Sequence, residues 1–344
     1  MQEKIYDQFE VDDDNLKIKN KPSSKKIYYI IIIILSIIIC CLSYMLFKNN
    51  ASFPNENELR FLLVSDIHDN TTSIDILLEK NKNKKFNYIL YAGDMVKMTP
   101  GQQNSSEHAH EYEERMINYI NKLEKIAPIL YIPGNNEPFT IYENNSPKLS
   151  KTSVNVHNNY FKIKNDLYLI GLGGCVPILN GGKYDKNVIP FETLNTSNVI
   201  QNGFPYNLPE YGLDNYKKSD EWFGNDIRKI INNIKKEVGN SNYQTILLSH
   251  NGPLYSWTNA QQQLGTGEHL LYLGSMELEK ILINDENLFL DIHGHIHPSR
   301  GIVTMIPDKT VINPGAMING FYGELTLLKK DNKWILDSVN LLNL

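Results

Sequence analysis

The stretch Phe61-Leu-Leu-Val-Ser-Asp-Ile-His-Asp-Asn70 joins a short apolar run to polar side chains that can bind metal. An aliphatic run of this length, bounded by polar residues, predicts a buried β-strand over Phe61–Val64. Asp66 and His68 follow directly after this strand. Because ligands gather at the carboxyl ends of strands in an α/β sheet, the stretch predicts both a sheet and a functional site at its edge.

Four further candidate strands are each followed by a side chain that can bind metal. The pairs are Tyr88–Tyr91 with Asp94, Ile129–Ile132 with Asn135, Thr245–Leu248 with His250, and Leu288–Asp291 with His295 and His297. One such residue in a loop is usually only a solvated side chain, but five strand ends equipped alike predict one shared site. The candidate ligands are Asp66, His68, Asp94, Asn135, His250, His295 and His297.

The residue types in this set indicate which ions it would hold. Imidazole and carboxylate ligands suit Zn, Fe, Mn or Co better than a calcium site, which is built from oxygen ligands alone. Two divalent ions roughly 3.5–4 Å apart that share one carboxylate acidify a bridging water and bind phosphate oxygens. Cys175 lies outside every motif, so no thiolate takes part. The pattern predicts a two-metal phosphoesterase site, with Mn, Zn, Fe or Mg as the candidate ions.

Helical periodicity alternates with the candidate strands and predicts a layered α/β core. Apolar residues recur at helical spacing from Ile74, from Met116 and from Ile227. From Gly301 onward the pattern indicates strands without helices, so we expect a second, antiparallel sheet there. The stretch from about 177 to 220 is rich in Gly, Asn, Pro and aromatic residues, and a loop this long is typical of a lid or a disordered insertion. Residues 97–110 form a smaller insertion of the same character.

An uncharged apolar run, Ile27–Phe47, predicts one transmembrane helix, since about 20 residues are needed to cross a bilayer. The alternative is a cleaved signal peptide, whose apolar region normally covers only about 7–15 residues behind a short basic start. We interpret the run as a signal anchor. The lysines in residues 1–26 place the N-terminus in the cytoplasm, and the remainder would then be lumenal or extracellular.

The expected organisation is a cytoplasmic tail over 1–26, a membrane anchor over 27–47, a tether over 48–58 and a catalytic domain over 59–344. The lipid bilayer is therefore an expected partner, through residues 27–47. Hydrophobic residues at 41% and charged residues at 21% are typical of an ordinary globular protein. The formal net charge of -5 offers no basic footprint for nucleic acid, so we expect no nucleic-acid partner.

Taken in order, the motifs resemble those of the calcineurin-like metallophosphoesterases, which run D-x-H, G-D, G-N-H-[DE], H and G-H-x-H. The resemblance covers about Leu59 to Leu344 and implies a four-layer double β-sandwich flanked by helices. It also implies hydrolysis of a phosphomonoester or phosphodiester by a metal-bridging hydroxide. By the same resemblance, the first ion is held by Asp66, His68 and His297, the second by Asn135, His250 and His295, and Asp94 bridges the two.

One position departs from the family pattern. Where most members have His in G-N-H-[DE], this chain has Asn136, so the residue usually credited with stabilising the transition state or protonating the leaving group is missing. The resemblance assigns catalytic roles to the positions of Asn136, Asp94 and His250. The alternative is a membrane-anchored scaffold of the same fold that retains metals without catalysis. A complete set of ligands favours the enzyme.

The sequence after Gly93-Asp94 argues against two subfamilies of this family. It continues Met-Val-Lys97, without the G-D-x-x-D-R-G run of protein Ser/Thr phosphatases and without the tyrosine of purple acid phosphatases. The expected partner is a phosphate-ester substrate of unspecified type.

Several other polar or aromatic residues have an ordinary interpretation. His293 is expected to be a hydrogen-bonded neighbour of the site, since ligating histidines need oriented partners. Glu137 is expected to orient Asn135 or to cap its loop. The remaining candidates are solvated residues or substitute acids at Glu107, His108 and His110, and core, lid or cleft aromatics at Tyr206, Trp222 and Trp257.

Overall fold

Two mixed six-stranded sheets form the frame of the molecule. The computed structural model describes residues 56–97, 106–143, 146–176, 179–180, 213–239, 241–262, 270–272 and 274–344. In chain order the elements are β1 (Glu58–Val64), α1 (Thr71–Asn81), β2 (Tyr88–Tyr91), α2 (Ser106–Leu123), β3 (Ile129–Tyr131), β4 (Val154–Asn155), β5 (Asn159–Lys164), β6 (Leu167–Leu172), β7 (Leu179–Asn180), α3 (Leu213–Val238), β8 (Gln244–Ser249), β9 (Ala260–Gln262), β10 (Leu270–Tyr272), α4 (Met276–Asn284), β11 (Leu288–Ile292), β12 (Gly301–Ile306), β13 (Lys309–Asn313), β14 (Phe321–Lys330) and β15 (Lys333–Asn343).

The first sheet has the strand order β15-β14-β1-β2-β3-β4, and the second has the order β12-β13-β11-β8-β6-β5. In the first, β1 to β4 run parallel and the β14–β15 hairpin adds two antiparallel strands. In the second, β13, β11, β8 and β6 run parallel between antiparallel edge strands. The carboxyl ends of the central strands therefore lie on one side of each sheet.

Alternation along the strands divides the core into three clusters, because successive side chains of a strand point to opposite faces. Phe61 and Leu63 of β1 pack with Leu169 and Leu248 of the second sheet. The intervening residues of β1 to β3 pack against α1 and α2. The outer face of β6 and β8 packs against α3 and α4 in the same way. The layers run helices, sheet, sheet, helices, as the family resemblance implied for this part of the chain.

Two helices begin at polar side chains that bind their free backbone N–H groups. Asn70 accepts a hydrogen bond from Ser73 N at 3.1 Å and starts α1. Ser275 accepts one from Leu278 N at 2.9 Å and starts α4, where the Asp220 carboxylate adds a bond from Glu277 N at 3.0 Å. A negative side chain is favourable at a helix N-terminus. Because Asn70 stands directly after the D-x-H loop, α1 fixes one end of that loop.

The five strands predicted ahead of candidate ligands are confirmed, and so are the three predicted helices. The prediction of a separate antiparallel sheet in the C-terminal third is wrong. β12 and β13 join the second sheet, where β13 runs parallel to β11, whereas β14 and β15 join the first. The physical reason is that the free edges of β1 and β11 each need a partner strand. The periodicity of a strand predicts the strand itself but not the strand with which it pairs.

Further elements were missed or misplaced. The run Leu167–Leu172 is buried throughout and forms the interior strand β6, and α4 was also not predicted. A continuous apolar run of this kind is typical of a parallel strand buried on both faces. Residues 106–110 and 213–220, expected in loops, belong to α2 and α3.

The predicted tail, the predicted membrane span over 27–47 and residues 48–55 of the tether lie outside the described residues. Within the part that the structure describes, no helix is both long and apolar enough to cross a bilayer. The membrane anchor and its orientation stay predictions. Most of the predicted 177–220 insertion also falls outside the description, apart from β7 and the start of α3.

Candidate metal centre

The predicted ligands come from the carboxyl ends of strands in both sheets. Asp66 and His68 follow β1, Asp94 follows β2 and Asn135 follows β3 in the first sheet. The second sheet contributes His250 after β8, and His295 and His297 after β11. The site therefore spans the ends of two sheets that pack face to face.

The backbone at these strand ends is strained. Asp66, His68, Asp69, Asp94 and His295 have positive φ angles of 54°, 46°, 62°, 60° and 66°. Such conformations cost about 1–3 kcal/mol each and persist only where the surroundings fix them. Here, Asp66 N donates to Gly93 O at 2.9 Å and His68 N donates to Asp94 O at 3.1 Å. The loops after β1 and β2 thus hold each other in the shape that turns their side chains toward the site.

Glycine is required at two positions where these loops approach one another. A Cβ atom added at Gly134 would clash with the carboxylate of Asp94. One added at Gly294 would clash with the hydroxyl of Ser65. The glycines of the G-N and G-H motifs therefore leave room for the acidic residues of the site.

A first group of ligand atoms consists of Asp66, His68 and His297. His68 Nε2 and His297 Nε2 face each other at 3.1 Å, and Asp66 Oδ1 lies 3.7 Å and 3.3 Å from these two nitrogens. Asp66 Oδ2 accepts bonds from the Ser65 hydroxyl and from His295 N. Asp66 Oδ1, in contrast, is buried without a hydrogen-bond partner among the described residues. A buried carboxylate oxygen left in this way is costly unless a cation binds it, so the group fits a metal ion.

A second group consists of Asp66, Asp94 and His250. Asp94 Oδ2 lies 3.6 Å from His68 Nε2 and 3.6 Å from His250 Nε2, which places one oxygen between the two groups. His250 Nδ1 donates to Ala92 O at 2.6 Å, so Nε2 is the nitrogen that faces the site. Asn135 Oδ1 lies 2.9 Å from that same Nε2. The atoms converge as ligands of one ion would.

His295 lies beside the second group. Its ring centroid is 4.9 Å from that of His250, and its backbone N donates to Asp66 Oδ2 at 3.1 Å. In the described part of the chain, however, the tight groups of ligand atoms do not include its ring. Distances of 3.7 Å or less thus link six of the seven predicted ligands in one cluster, and the ring of His295 lies beside it.

The charges of the site already favour a cation. Burial lowers the pKa of His250, but the neighbouring carboxylates of Asp94 and Asp66 outweigh it and raise that pKa to about 9. Burial raises the pKa of Asp94, and His250 together with His68 brings it down to about 2. An ionised Asp94 beside a protonated histidine marks a position where metal binding would replace a proton.

Glu137 and Asn136 fix the loops after β2 and β3. The fully buried carboxylate of Glu137 accepts bonds from Gly134 N at 2.6 Å and Asp94 N at 3.1 Å, and also from Met95 N. Burial, followed by the charge of Asp94, raises the pKa of Glu137 to about 7. Glu137 therefore caps its loop, one of the two roles expected for it.

Asn136 is buried against the central carboxylate. Its backbone N donates to Asp94 Oδ1 at 2.7 Å, and its side-chain Nδ2 donates to Asp94 Oδ2 at 2.7 Å. Both oxygens of Asp94 are thus held by one residue. The side chain at this position binds the carboxylate that lies between the two ligand groups.

The remaining candidates lie outside the ligand groups. His293 is buried, donates from Nδ1 to Gly294 O at 3.0 Å and accepts from Thr258 Oγ1 at 2.8 Å, which confirms its prediction as a hydrogen-bonded neighbour. His110 lies on α2 with an exposed ring near Glu113 and Glu114. Trp222 packs against the second core, Trp257 is 69% exposed, and Tyr206 falls outside the described residues.

Sequence reasoning missed a further buried carboxyl, that of Asp291 near the end of β11. Its Oδ1 accepts a hydrogen bond from Ser249 Oγ at 2.9 Å, whereas Oδ2 is buried without a partner among the described residues. Burial raises the pKa of Asp291 to about 8. The sequence offered one indication, an acidic residue inside an otherwise apolar strand.

The sequence model of the family described as calcineurin-like phosphoesterase matches residues 59–299. No curated protein matches the chain. One solved structure, 16% identical over 82% of this chain and 99% of its own, has a TM-score of 0.51 and shares the fold.

Two further structures are similar at lower scores. The protein TT1561 of Thermus thermophilus is 16% identical over 83% of this chain and 98% of its own, with a TM-score of 0.49. The calcineurin-like phosphoesterase YfkN from Bacillus subtilis is 12% identical over 83% of this chain and 90% of its own, with a TM-score of 0.42.

The pKa of Asp291 predicts a pH-dependent stability. The folded value of about 8 exceeds the ordinary value of 3.8, so unfolding releases a proton between those limits and stability falls as pH rises. The Asp291→Asn variant should not lose stability in this way. Its free energy of unfolding, relative to that of wild type, should therefore increase from pH 5 to pH 8. Urea unfolding in the presence of a chelator measures the free energy of unfolding at each pH. The control is Asp337→Asn, at an exposed carboxylate. The prediction is refuted if the free energy of unfolding changes with pH equally in Asp291→Asn, the control and wild type.

Proposed function

Because the chain belongs to the calcineurin-like phosphoesterase family, and so to a family of hydrolases, we propose that it hydrolyses a phosphomonoester or phosphodiester with two divalent metal ions. The observation that carries the proposal is the position of Asp94 Oδ2, 3.6 Å from both His68 Nε2 and His250 Nε2. A dinuclear centre requires a carboxylate oxygen of this kind, close to histidines of two neighbouring ligand groups.

In the proposed centre the first ion is held by Asp66, His68 and His297. The support for this assignment is their mutual distances of 3.1 to 3.7 Å and the unpartnered Asp66 Oδ1. The second ion is held by Asn135, His250 and His295, and Asp94 lies between the two. When bound, the ions supply an activated water for attack on phosphorus and neutralise the charge of the phosphoryl oxygens.

The protein's own residues give the centre its shape. Glu137 ties the loops after β2 and β3 together through three backbone N–H groups. Asn136 holds both oxygens of Asp94, which limits rotation of the central carboxylate. His250 is oriented by its bond to Ala92 O. These contacts place the ligands before any ion binds, and a fixed set of ligands is what metal catalysis needs.

Asn136 also restricts the substrate. Its amide group does not ionise near neutral pH, so it cannot transfer a proton to a departing alkoxide as an imidazolium can. Its Nδ2 is moreover turned toward Asp94 Oδ2. We infer that the substrate is a small ester whose leaving group departs as a stable anion, since protonation from position 136 is lacking.

The enzyme should hydrolyse p-nitrophenyl phosphate or bis(p-nitrophenyl) phosphate when supplied with Mn, Zn or Mg. Asp94→Ala should reduce kcat by more than about a hundredfold, because loss of a residue outside the ligand set already costs about 10–100-fold. Asp337→Ala, at an exposed carboxylate, is the matched control and should retain full activity. If wild type and Asp94→Ala were equally inert with every metal, the non-catalytic scaffold would replace the enzyme.

The variant Asn136→His tests the role of the missing acid. General acid catalysis contributes about 10²–10⁴-fold where the leaving group is poor. We therefore expect kcat to rise more for phenyl phosphate than for p-nitrophenyl phosphate, whose leaving group needs no proton. Steady-state kinetics on both esters measures the difference. Equal changes on the two esters would show that position 136 does not limit leaving-group departure in this chain.

A further inference from the structure

We propose that Asp69, Arg115 and Tyr119 form a latch that holds the D-x-H loop in its metal-binding conformation. The inference rests on the proposed metal centre and goes beyond it, because none of these side chains is a ligand. Asp69 directly follows His68, whereas Arg115 and Tyr119 belong to α2. The latch would make α2 a positioning element for the first ion.

The Asp69 carboxylate binds three donors from two other parts of the chain. Its Oδ2 accepts from Lys97 N at 2.9 Å and from Arg115 Nη1 at 2.8 Å. Its Oδ1 accepts from Tyr119 Oη at 3.0 Å. Lys97 follows the loop that carries Asp94. One side chain therefore joins the loop after β1, the loop after β2 and the helix α2.

The loop that Asp69 holds contains much of the strain in the site. Asp66, His68 and Asp69 all have positive φ within four consecutive residues. Backbone conformations of this kind relax unless other contacts fix them. Asp69 N donates to Met95 O at 3.2 Å, so backbone and side chain of the same residue secure the loop. Loss of the carboxylate contacts would let the loop relax and would move His68, its immediate neighbour.

The donors on α2 are themselves well fixed. The Arg115 guanidinium stacks over the Tyr112 ring at 4.1 Å from its centroid, and Tyr112 is buried. Burial and the charge of Asp69 raise the pKa of Tyr119 to about 12, so its hydroxyl remains a donor at neutral pH. Glu113 of α2 accepts a hydrogen bond from Thr140, beyond the loop after β3. Helix α2 is thus bound to Asp69 in the loop after β1 and to Thr140 beyond the loop after β3.

A second ion pair on the same helix distinguishes the latch from ordinary helix docking. Lys122 of α2 contacts Asp75 of α1 at 2.7 Å, a distance close to that of Arg115 and Asp69. It joins the same helix to the body of the domain, but Asp75 lies inside α1 rather than in the strained loop. Asp75→Asn therefore removes an ion pair between α2 and α1, at a more exposed carboxylate, and leaves the D-x-H loop untouched.

The test is calorimetric titration of Mn²⁺ into the full chain after removal of metals with a chelator. Wild type and Asp75→Asn should bind two ions with equal affinities. Asp69→Asn should weaken one ion by about 10–100-fold and leave the other unchanged, as expected for loss of a residue that orients a ligand. Tyr119→Phe, which keeps the charge pair, should weaken the same ion several-fold. Circular dichroism checks that each variant is folded.

Two-ion binding by wild type with identical affinities in Asp69→Asn, Tyr119→Phe and Asp75→Asn would overturn the latch and leave the proposed function intact. Equal weakening in Asp69→Asn and Asp75→Asn would also overturn it, because that result describes helix docking alone. If Asp69→Asn does not fold, the Mn²⁺ affinities of Tyr119→Phe and Asp75→Asn are compared instead. Equal affinities in these two variants would overturn the latch. A wild-type chain that binds no Mn²⁺ would overturn the proposed function and the latch together.

Discussion

The carboxylate of Asp94 is the interaction on which the rest of the site depends. Its Oδ2 stands 3.6 Å from a histidine of the first sheet's loops and 3.6 Å from a histidine of the second sheet. The charge is held in place by Asn136, whose backbone and side chain donate to its two oxygens. Because Asp94 is buried, its negative charge must be matched by positive charge, which protonated histidine provides here and a divalent ion would provide in the proposed enzyme.

The fold places the Asp94 carboxylate where loops of the two sheets meet. Parallel central strands direct their carboxyl ends to one side of each sheet, and face-to-face packing brings the two sets of ends together. The loops meet so closely that Gly134 and Gly294 cannot carry a side chain, and five non-glycine residues accept positive φ angles. Hydrogen bonds between the loops after β1 and β2 hold most of this strain, and hydrophobic packing of the two sheets fixes the strands from which the loops start.

Much of the site followed from the sequence, because strand ends and metal ligands both leave local patterns. Asp66, His68 and Asp94 were identifiable from their places directly after aliphatic runs. The assignment of β13 and β14 to different sheets was not, since strand periodicity reports burial and not the partner strand. The side-chain contacts of Asp69 with α2 were also not predictable from the sequence, because they join residues that are 46 and 50 positions apart.

The departure at Asn136 shows a similar limit. The sequence identified the missing imidazole, but only the structure shows that the amide is directed at Asp94. A short polar side chain at this position can reinforce the central carboxylate, whereas its chemistry does not supply a proton. The site thus combines a cluster of candidate metal ligands with a side chain at position 136 that cannot donate a proton, which is the basis for proposing substrates with stable leaving groups.

Anomalous diffraction from crystals grown with Mn²⁺ tests the proposed dinuclear centre most directly. Two manganese peaks are expected about 3.5–4 Å apart, one on each side of Asp94 Oδ2, with Asp66, His68 and His297 around the first and Asn135, His250 and His295 around the second. A single peak, or peaks that do not share Asp94, would contradict the proposed centre.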